Sequence, residues 1–286
     1  MSLELKHISK AYHNKPVLQT IDWQIEAGKI YGLLGRNGAG KSTLLNIINN
    51  RSFQTAGTLL LDGQPVHDNE QSLNRLYMMS EDNLYPGSLK VKSCFQLTEA
   101  FYGDFDEALA KKMVAAFGLD TKQDLRKLST GYRTIAKLIM ALCVPCDYIF
   151  LDEPVLGLDA NHRELFYQFI LETYETRPRT FVISTHLIEE VANLLEEVVI
   201  IRNGRLIRQA TTEEIQQEGK VITGPKAEVE AFIAQNQLTV LGKDELGGLL
   251  NVYVKGDVNG EVPATIHVGP LDLQTYFVQL TNQEVA

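Results

Sequence analysis

Nine residues, Gly35-Arg36-Asn37-Gly38-Ala39-Gly40-Lys41-Ser42-Thr43, carry the most specific chemistry in this chain. Their spacing, G-x-x-x-x-G-K-[ST], is that of a P-loop. Glycine tolerates φ > 0 and has no Cβ to block an anion, so several backbone N–H groups can converge on one phosphate. A helix that begins near Lys41 adds the positive end of its dipole. Lys41 offers a point charge to outer phosphates, and Ser42 offers a hydroxyl to Mg²⁺.

Other groups stand where strands end or helices begin. Asp152-Glu153 follow the apolar run Tyr148-Ile149-Phe150-Leu151. In parallel α/β sheets ligands bind beyond the carboxyl ends of strands. Asp152 is placed to hold Mg²⁺ and Glu153 to take a proton from an attacking water. His186 follows a second strand, 180–184, at the same kind of position. Leu128-Ser129-Thr130-Gly131-Tyr132 opens a helix whose inner face is Ile135, Leu138, Ile139 and Leu142. Ser129 is read as its N-cap. Its hydroxyl and the Gly131 N–H also make a second anion-binding helix start. Tyr12 is read either as a strand-end aromatic or as a ring that stacks on a base. Cys143-Val144-Pro145-Cys146 has C-x-x-C spacing, but it lies at the end of a helical run, where the dipole disfavours a thiolate. The expectation there is buried structural thiols.

The surrounding pattern supplies the elements that hold these groups. Ile30, Tyr31, Leu33 and Leu34 predict a buried strand before the loop, and Leu44, Leu45, Ile47 and Ile48 a helix after it. Residues 1–30 read as antiparallel strands, with Ile21, Trp23 and Ile25 alternating. Strands are predicted at 58–61, closed by Asp62-Gly63, and at 76–79, ending at Ser80. Helical spacing takes over at about 85–147, with helices at 93–102 and 105–117 and Gly118 as a C-cap. A hairpin at 198–207 turns on Asn203-Gly204. Beyond about 215 the composition shifts, with a helix at 226–235, a hairpin at 238–254, a strand at 266–268 and a helix at 271–280. The expected fold class is α/β, a P-loop NTPase core sheet with an antiparallel β-subdomain, a helical insertion and a small C-terminal α+β appendage. The expected boundary separates 1–215 from an accessory domain at 216–286.

Composition sets limits. The chain has 286 residues, 44% of them hydrophobic, and a net charge of −9. An acidic chain is a poor prior for non-specific nucleic-acid binding, so no nucleic-acid partner is expected. No run approaches 18 apolar residues and the N-terminus is charged, so a cytoplasmic protein is expected. Three cysteines do not form a disulfide framework.

Over roughly residues 1–215 the order of these motifs resembles the nucleotide-binding subunit of ATP-binding-cassette (ABC) transporters. Tyr12 matches the A-loop aromatic, 35–43 the Walker A loop, 128–132 the LSGGQ signature, and 148–153 Walker B with its acid. Gly157-Leu158-Asp159 looks like the D-loop and His186 like the switch histidine. The short interval between Lys41 and Ser129 fits a compact transporter subunit and excludes the long coiled-coil insertion of chromosome-maintenance relatives. Two departures stand out. Ser80 falls where the family has its Q-loop glutamine, and Thr130 and Tyr132 replace Gly and Gln in the signature. The resemblance implies ATP and Mg²⁺ as ligands, with Ser42, Ser80 and Asp152 at the metal and Tyr12, residues 35–43, Ser129 and Gly131 around the nucleotide. It implies Glu153 and His186 as catalytic, a second ABC subunit closing the site, and separate transmembrane permease subunits at the inner face of the cell membrane. The short appendage looks like exporter-type systems. Two other readings stay open: a soluble ATP-dependent switch without transport, and a cassette that binds ATP but hydrolyses it poorly.

Overall fold

In the computed structural model, residues 1–282 apart from 257, 259 and 260 are described. Strands β1 (Ser2–Tyr12) and β2 (Lys15–Glu26) open the chain as an antiparallel pair. Leu3 and Leu5 of the first and Ile21, Trp23 and Ile25 of the second turn inward with the period of two, and an irregularity between Leu5 and Ile8 brings Ile8 in as well. Then come β3 (Ile30–Leu34) and α1 (Lys41–Ile48). β4 (Ala56–Leu61) and β5 (Gln64–Pro65) complete a sheet of order β2-β1-β4-β5, with Asp62 (φ 50°) and Gly63 (φ 79°) forming the turn.

After the short α2 (Glu70–Leu73), β6 (Leu76–Met79) begins the other half of the core. Three helices follow: α3 (Val91–Tyr102), α4 (Glu107–Phe117) and α5 (Thr130–Cys143). Asp106 caps the start of α4 by accepting from Leu109 N, and Gly118 ends it at φ 64°. Next are β7 (Tyr148–Asp152), α6 (Ala160–Thr176) and β8 (Thr180–Ser184). β6, β7, β8 and β3 lie side by side in that order, all parallel. Each is buried along its whole length, because a parallel sheet is covered on both faces and needs continuous apolar runs.

The register of that sheet positions the chemistry. Leu33 and Asp152 both pair with Ser184, and Met79 pairs with Leu151. Gly35, Ser80, Glu153 and His186 therefore follow four neighbouring strands at one edge of the sheet, although they are far apart in the chain.

The chain divides into two compact units, Met1–His186 with Ile201–Ile207, and Leu187–Ile200 with Arg208–Ala286. The second contains α7 (Ile188–Val191). The hairpin of β9 (Glu197–Arg202) and β10 (Arg205–Thr211) lends its tip to the first unit. The second unit continues with α8 (Thr212–Glu218), β11 (Gly219–Pro225), α9 (Lys226–Asn236), β12 (Thr239–Leu246), β13 (Leu249–Lys255), β14 (His267–Pro270) and α10 (Leu273–Asn282). Its sheet runs β12-β13-β11-β14, antiparallel throughout. β11, α9 and β12 form a split β-α-β unit with β13 between the two strands. Ile222, Leu250, Val252 and Val254 face Val229 and Phe232 of α9, forming a core of its own. Of the accessory segment expected at 216–286, residues 257, 259, 260 and 283–286 lie outside the described residues.

The helix α6 has no counterpart in the periodicity reading. Its outer positions mix Leu171, exposed, with acids and tyrosines, which blurs the apolar stripe. Its start was nevertheless marked, since Asp159 accepts from His162 N as an N-cap.

Replacing Phe232 by Ala should destabilise the second unit by about 3–5 kcal/mol, the usual result of emptying a packed aromatic site. Urea unfolding followed by circular dichroism tests this, and an unchanged midpoint would contradict the packing described.

Candidate nucleotide-binding and catalytic site

Gly40 occupies the N-cap position of α1 at φ 110°, and no side chain caps the helix. The first N–H groups of α1 thus have no intrahelical partner and suit an anion. Gly38 also holds a positive φ of 81°. The back of the loop is tightly covered. A Cβ on Gly35 would lie 2.7 Å from Ile201 O, and one on Gly40 would lie 2.7 Å from Leu18 Cδ2. Gly204 N donates to Ala39 O at 3.0 Å, while Gln19 N donates to Gly204 O at 2.7 Å. A Cβ on Gly204 would meet Val17 O at 2.1 Å. The hairpin tip therefore braces the loop from behind, while Arg36, Asn37, Gly38 and Ser42 are exposed in front and Thr43 is half-buried. Sequence reasoning saw Asn203-Gly204 only as a turn. The bracing depends on a contact with Val17 that no local pattern encodes.

Lys41 is buried, and its Nζ donates to Gly35 O at 2.6 Å. Burial draws its pKa down, while Glu153 and Asp152 pull it back up. The two acids thus lie within electrostatic reach of the loop lysine. Asp152 is buried, and its Oδ1 has no hydrogen-bond partner; the same holds for Ser184 Oγ beside it in the sheet. A buried carboxylate oxygen left unpaired is costly, and a cation beside it would remove that cost.

Glu153 N donates to Ser184 O at 2.8 Å with the residue at φ 48°. A non-glycine residue there costs about 1–3 kcal/mol and is held only by its surroundings. Glu153 Oε2 accepts from Thr185 Oγ1 at 3.3 Å and from His186 Nδ1 at 2.9 Å. Against a carboxylate Nδ1 is the donor of this contact, and in the neutral ring Nε2 is then an acceptor. The strand-end acid and the histidine expected beside it are in direct contact.

Ser129 caps α5, accepting from Tyr132 N at 3.3 Å. A Cβ on Gly131 would lie 2.7 Å from Gly157 O, so only glycine lets the helix tip seat on the 156–158 turn. Thr134 Oγ1 donates to Leu156 O at 3.2 Å on the same contact. Tyr132 meets the His162 ring edge-on at 6.0 Å, and His162 is paired with Asp159 at 2.8 Å. The tyrosine in the signature therefore serves packing against α6. The structure brings 35–43, 152–153 and 184–186 together, whereas Gly131 seats against 157–158 of its own chain and Ser129 caps its own helix.

Tyr12 is exposed, with Lys10 Nζ 4.7 Å over its ring and its hydroxyl 3.5 Å from Ser52 Oγ. Ser80 is buried, and its Oγ accepts from Arg51 Nη1 at 3.2 Å. A guanidinium on that hydroxyl disfavours a dication at the same oxygen. The C-x-x-C thiols are inert: burial pushes Cys146 up to about 12 and Cys143 higher still. Among the described residues no group of three or more His, Cys, Asp or Glu could hold a metal alone. A cation at Asp152 would draw its other ligands from outside that set, such as the Ser42 hydroxyl, water or phosphate oxygens, as Mg²⁺ commonly does.

A phosphate loop beside a strand-end Asp-Glu pair in a parallel sheet defines a P-loop nucleoside-triphosphate hydrolase. Residues 18–156 match the family model described as ABC transporter. The ABC transporter ATP-binding protein YtrB of Bacillus subtilis is 27% identical over 253 residues, covering 88% of this chain and 86% of that protein. The Nod factor export ATP-binding protein I of Burkholderia lata is 28% identical over 306 residues, 99% of this chain and 98% of the relative. The ribose import ATP-binding protein RbsA of Bacillus cereus is 28% identical, but the chain spans only 46% of its length. Among solved structures, an ATP-binding subunit of an ABC transporter superposes with a TM-score of 0.69 at 23% identity, covering 76% of this chain and 92% of the other. A dimeric ATP-binding cassette in a post-hydrolysis state with ADP and Pi gives 0.66 at 21%, covering 73% and 98%. Over residues 18–156 this chain is thus similar to the ABC transporter family, and the relatives it matches are named as ATP-binding subunits.

Replacing Gly204 by Ala should weaken ATP binding, because the added Cβ displaces the brace behind Ala39. Lys41→Ala should abolish tight binding altogether. Calorimetric titration with ATP distinguishes the outcomes, and wild-type affinity in both variants would refute this account of the loop.

Proposed function

We propose that this chain hydrolyses ATP to power export through separate transmembrane permease subunits, as a peripheral subunit on the cytoplasmic face of the cell membrane. The observation that carries the catalytic part is the placement of Glu153, a strained strand-end acid held by His186 and Thr185 beside the Lys41 loop. Export is supported by the end-to-end match to a Nod factor export ATP-binding protein, which includes the second unit. The two-domain division at about residue 215 belongs to this reading, with 216–286 as an accessory domain.

Backbone N–H groups of 38–43 and Lys41 hold the outer phosphates, and Tyr12 offers the free face of its ring to the base. Ser42 and Asp152 would hold Mg²⁺, which when bound neutralises phosphate charge. Glu153 accepts the proton of the attacking water as it approaches in line with the leaving phosphate. His186 fixes the Glu153 carboxylate through Nδ1 and presents Nε2 toward the transferred group. A second ABC subunit supplies Ser129 Oγ and the Gly131 N–H from the start of its α5, closing the exposed front of the loop. The acidic chain favours no nucleic-acid partner.

Glu153→Gln should keep ATP affinity and slow turnover by about 10²–10⁴-fold, roughly 3–5.5 kcal/mol on the barrier. Phosphate release measured beside ATP binding tests it, and undiminished hydrolysis would remove Glu153 from the role. Affinity purification in mild detergent should recover a membrane subunit. Recovery of the chain without one, from membranes and cytosol alike, would favour a switch without transport.

A further inference from the structure

Ser80 is gripped by two cations, one just beyond α1 and one in α5. Arg51 lies just past the end of α1, its backbone N–H donating to Asn46 O at 2.8 Å. Its guanidinium donates to Ser80 Oγ at 3.2 Å and to Met78 O at 2.7 Å. From the other side, Lys137 of α5 donates through Nζ to Ser80 O at 3.0 Å and to Glu81 O at 2.6 Å. The lysine is half-buried, and Glu81, Asp82 and Arg133 are the charged groups around it. Ser80, Glu153, Arg133 and Lys137 line one cavity of about 160 Å³.

Arg51 is exposed and Lys137 half-buried, yet both direct their charged ends at the same turn. Neither Arg51 nor Lys137 belongs to the phosphate loop or the strand-end acids. What they share is a single residue, the first after β6. Four charge-assisted hydrogen bonds converge on Met78, Ser80 and Glu81, and such bonds are about twice as strong as neutral ones. They tie the end of the P-loop helix to the helix whose tip is Ser129, by way of a loop beside the catalytic acid.

We propose that Arg51 and Lys137 are positioning residues that clamp the side chain and backbone of Ser80, so that α1 and α5 keep a fixed setting across the catalytic cavity. Ser80 acts in this scheme as the acceptor of Arg51 and not as a metal ligand. This accounts for a short hydroxyl where a longer glutamine was expected: the guanidinium supplies the reach. The scheme rests on the ATPase reading only for its consequence in turnover, since the clamp itself is a property of the folded chain.

The experiment uses the full chain with ¹³C-methyl methionine. The chain has five methionines. Met78, Met79 and Met140 line the wall shared with Ser80 and Lys137, while Met113 lies in α4 and controls for folding. In Arg51→Ala and Lys137→Ala the Met78, Met79 and Met140 methyl signals should broaden or split, with Met113 unmoved. Lys137→Arg should restore single sharp lines. In parallel, each Ala variant should lose about tenfold in kcat at unchanged KM for ATP, and the double variant should lose little more than either alone, as groups acting through one residue do. Ser80→Ala should reproduce the Arg51→Ala loss. Wild-type methyl spectra in both variants, or losses that multiply in the double variant, would overturn the clamp. A wild-type chain without ATPase activity would instead sink the catalytic reading, and the methyl spectra would still judge the clamp.

Discussion

Gly35, Gly40 and Gly204 sit where one added carbon would strike Ile201 O, Leu18 Cδ2 and Val17 O respectively. Close approach of bare backbone is the constraint from which the rest of the site follows. Glycines at 35, 38 and 40 leave no Cβ between the loop's N–H groups and a phosphate. A glycine-rich loop has few side chains to fix its shape, so it is packed from behind. β2 and the hairpin tip do that packing, and their hydrogen bonds through Gly204 fix the Ala39 carbonyl. The first unit therefore includes Ile201–Ile207, which is remote in sequence but integral to the loop.

The parallel sheet converts this local device into a reaction site. Register places Asp152, Ser184 and Leu33, two residues before the loop, side by side. Lys41 then feels both acids, and the orphaned Asp152 oxygen lies in a position where positive charge lowers its energy. Glu153 is kept in a strained conformation by a backbone bond to the neighbouring strand and by two side-chain bonds. Strain persists only where the surroundings over-determine it, and here three separate contacts do so.

The departures from the family pattern also acquire physical explanations. Tyr132 packs edge-on against His162, which helps to fix α5 on α6. Gly131, which is retained, is dictated by the Gly157 carbonyl beneath it. Ser80 receives a guanidinium instead of extending its own side chain. In each case the altered residue is satisfied by a neighbour from another element. The second unit is built on the same economy: its sheet and α9 enclose their own apolar core, so its fold does not depend on the phosphate site.

The local elements were legible in the sequence because their causes are local. The loop spacing, the buried runs at Leu76–Met79 and Thr180–Ser184, the Ser129 cap and the Gly118 stop all act within a few residues. α6 was not, because its apolar stripe is diluted by acids and tyrosines and its cap alone was too weak a signal. The contacts that finish the site, Gly204 on Val17, Gly131 on Gly157, and Arg51 with Lys137 on Ser80, join residues far apart in the chain. Residue types and spacing determined which groups could bind phosphate and move a proton. Only the tertiary structure decided which of them are braced, strained or clamped, because those states are set by through-space contacts that no short-range pattern contains.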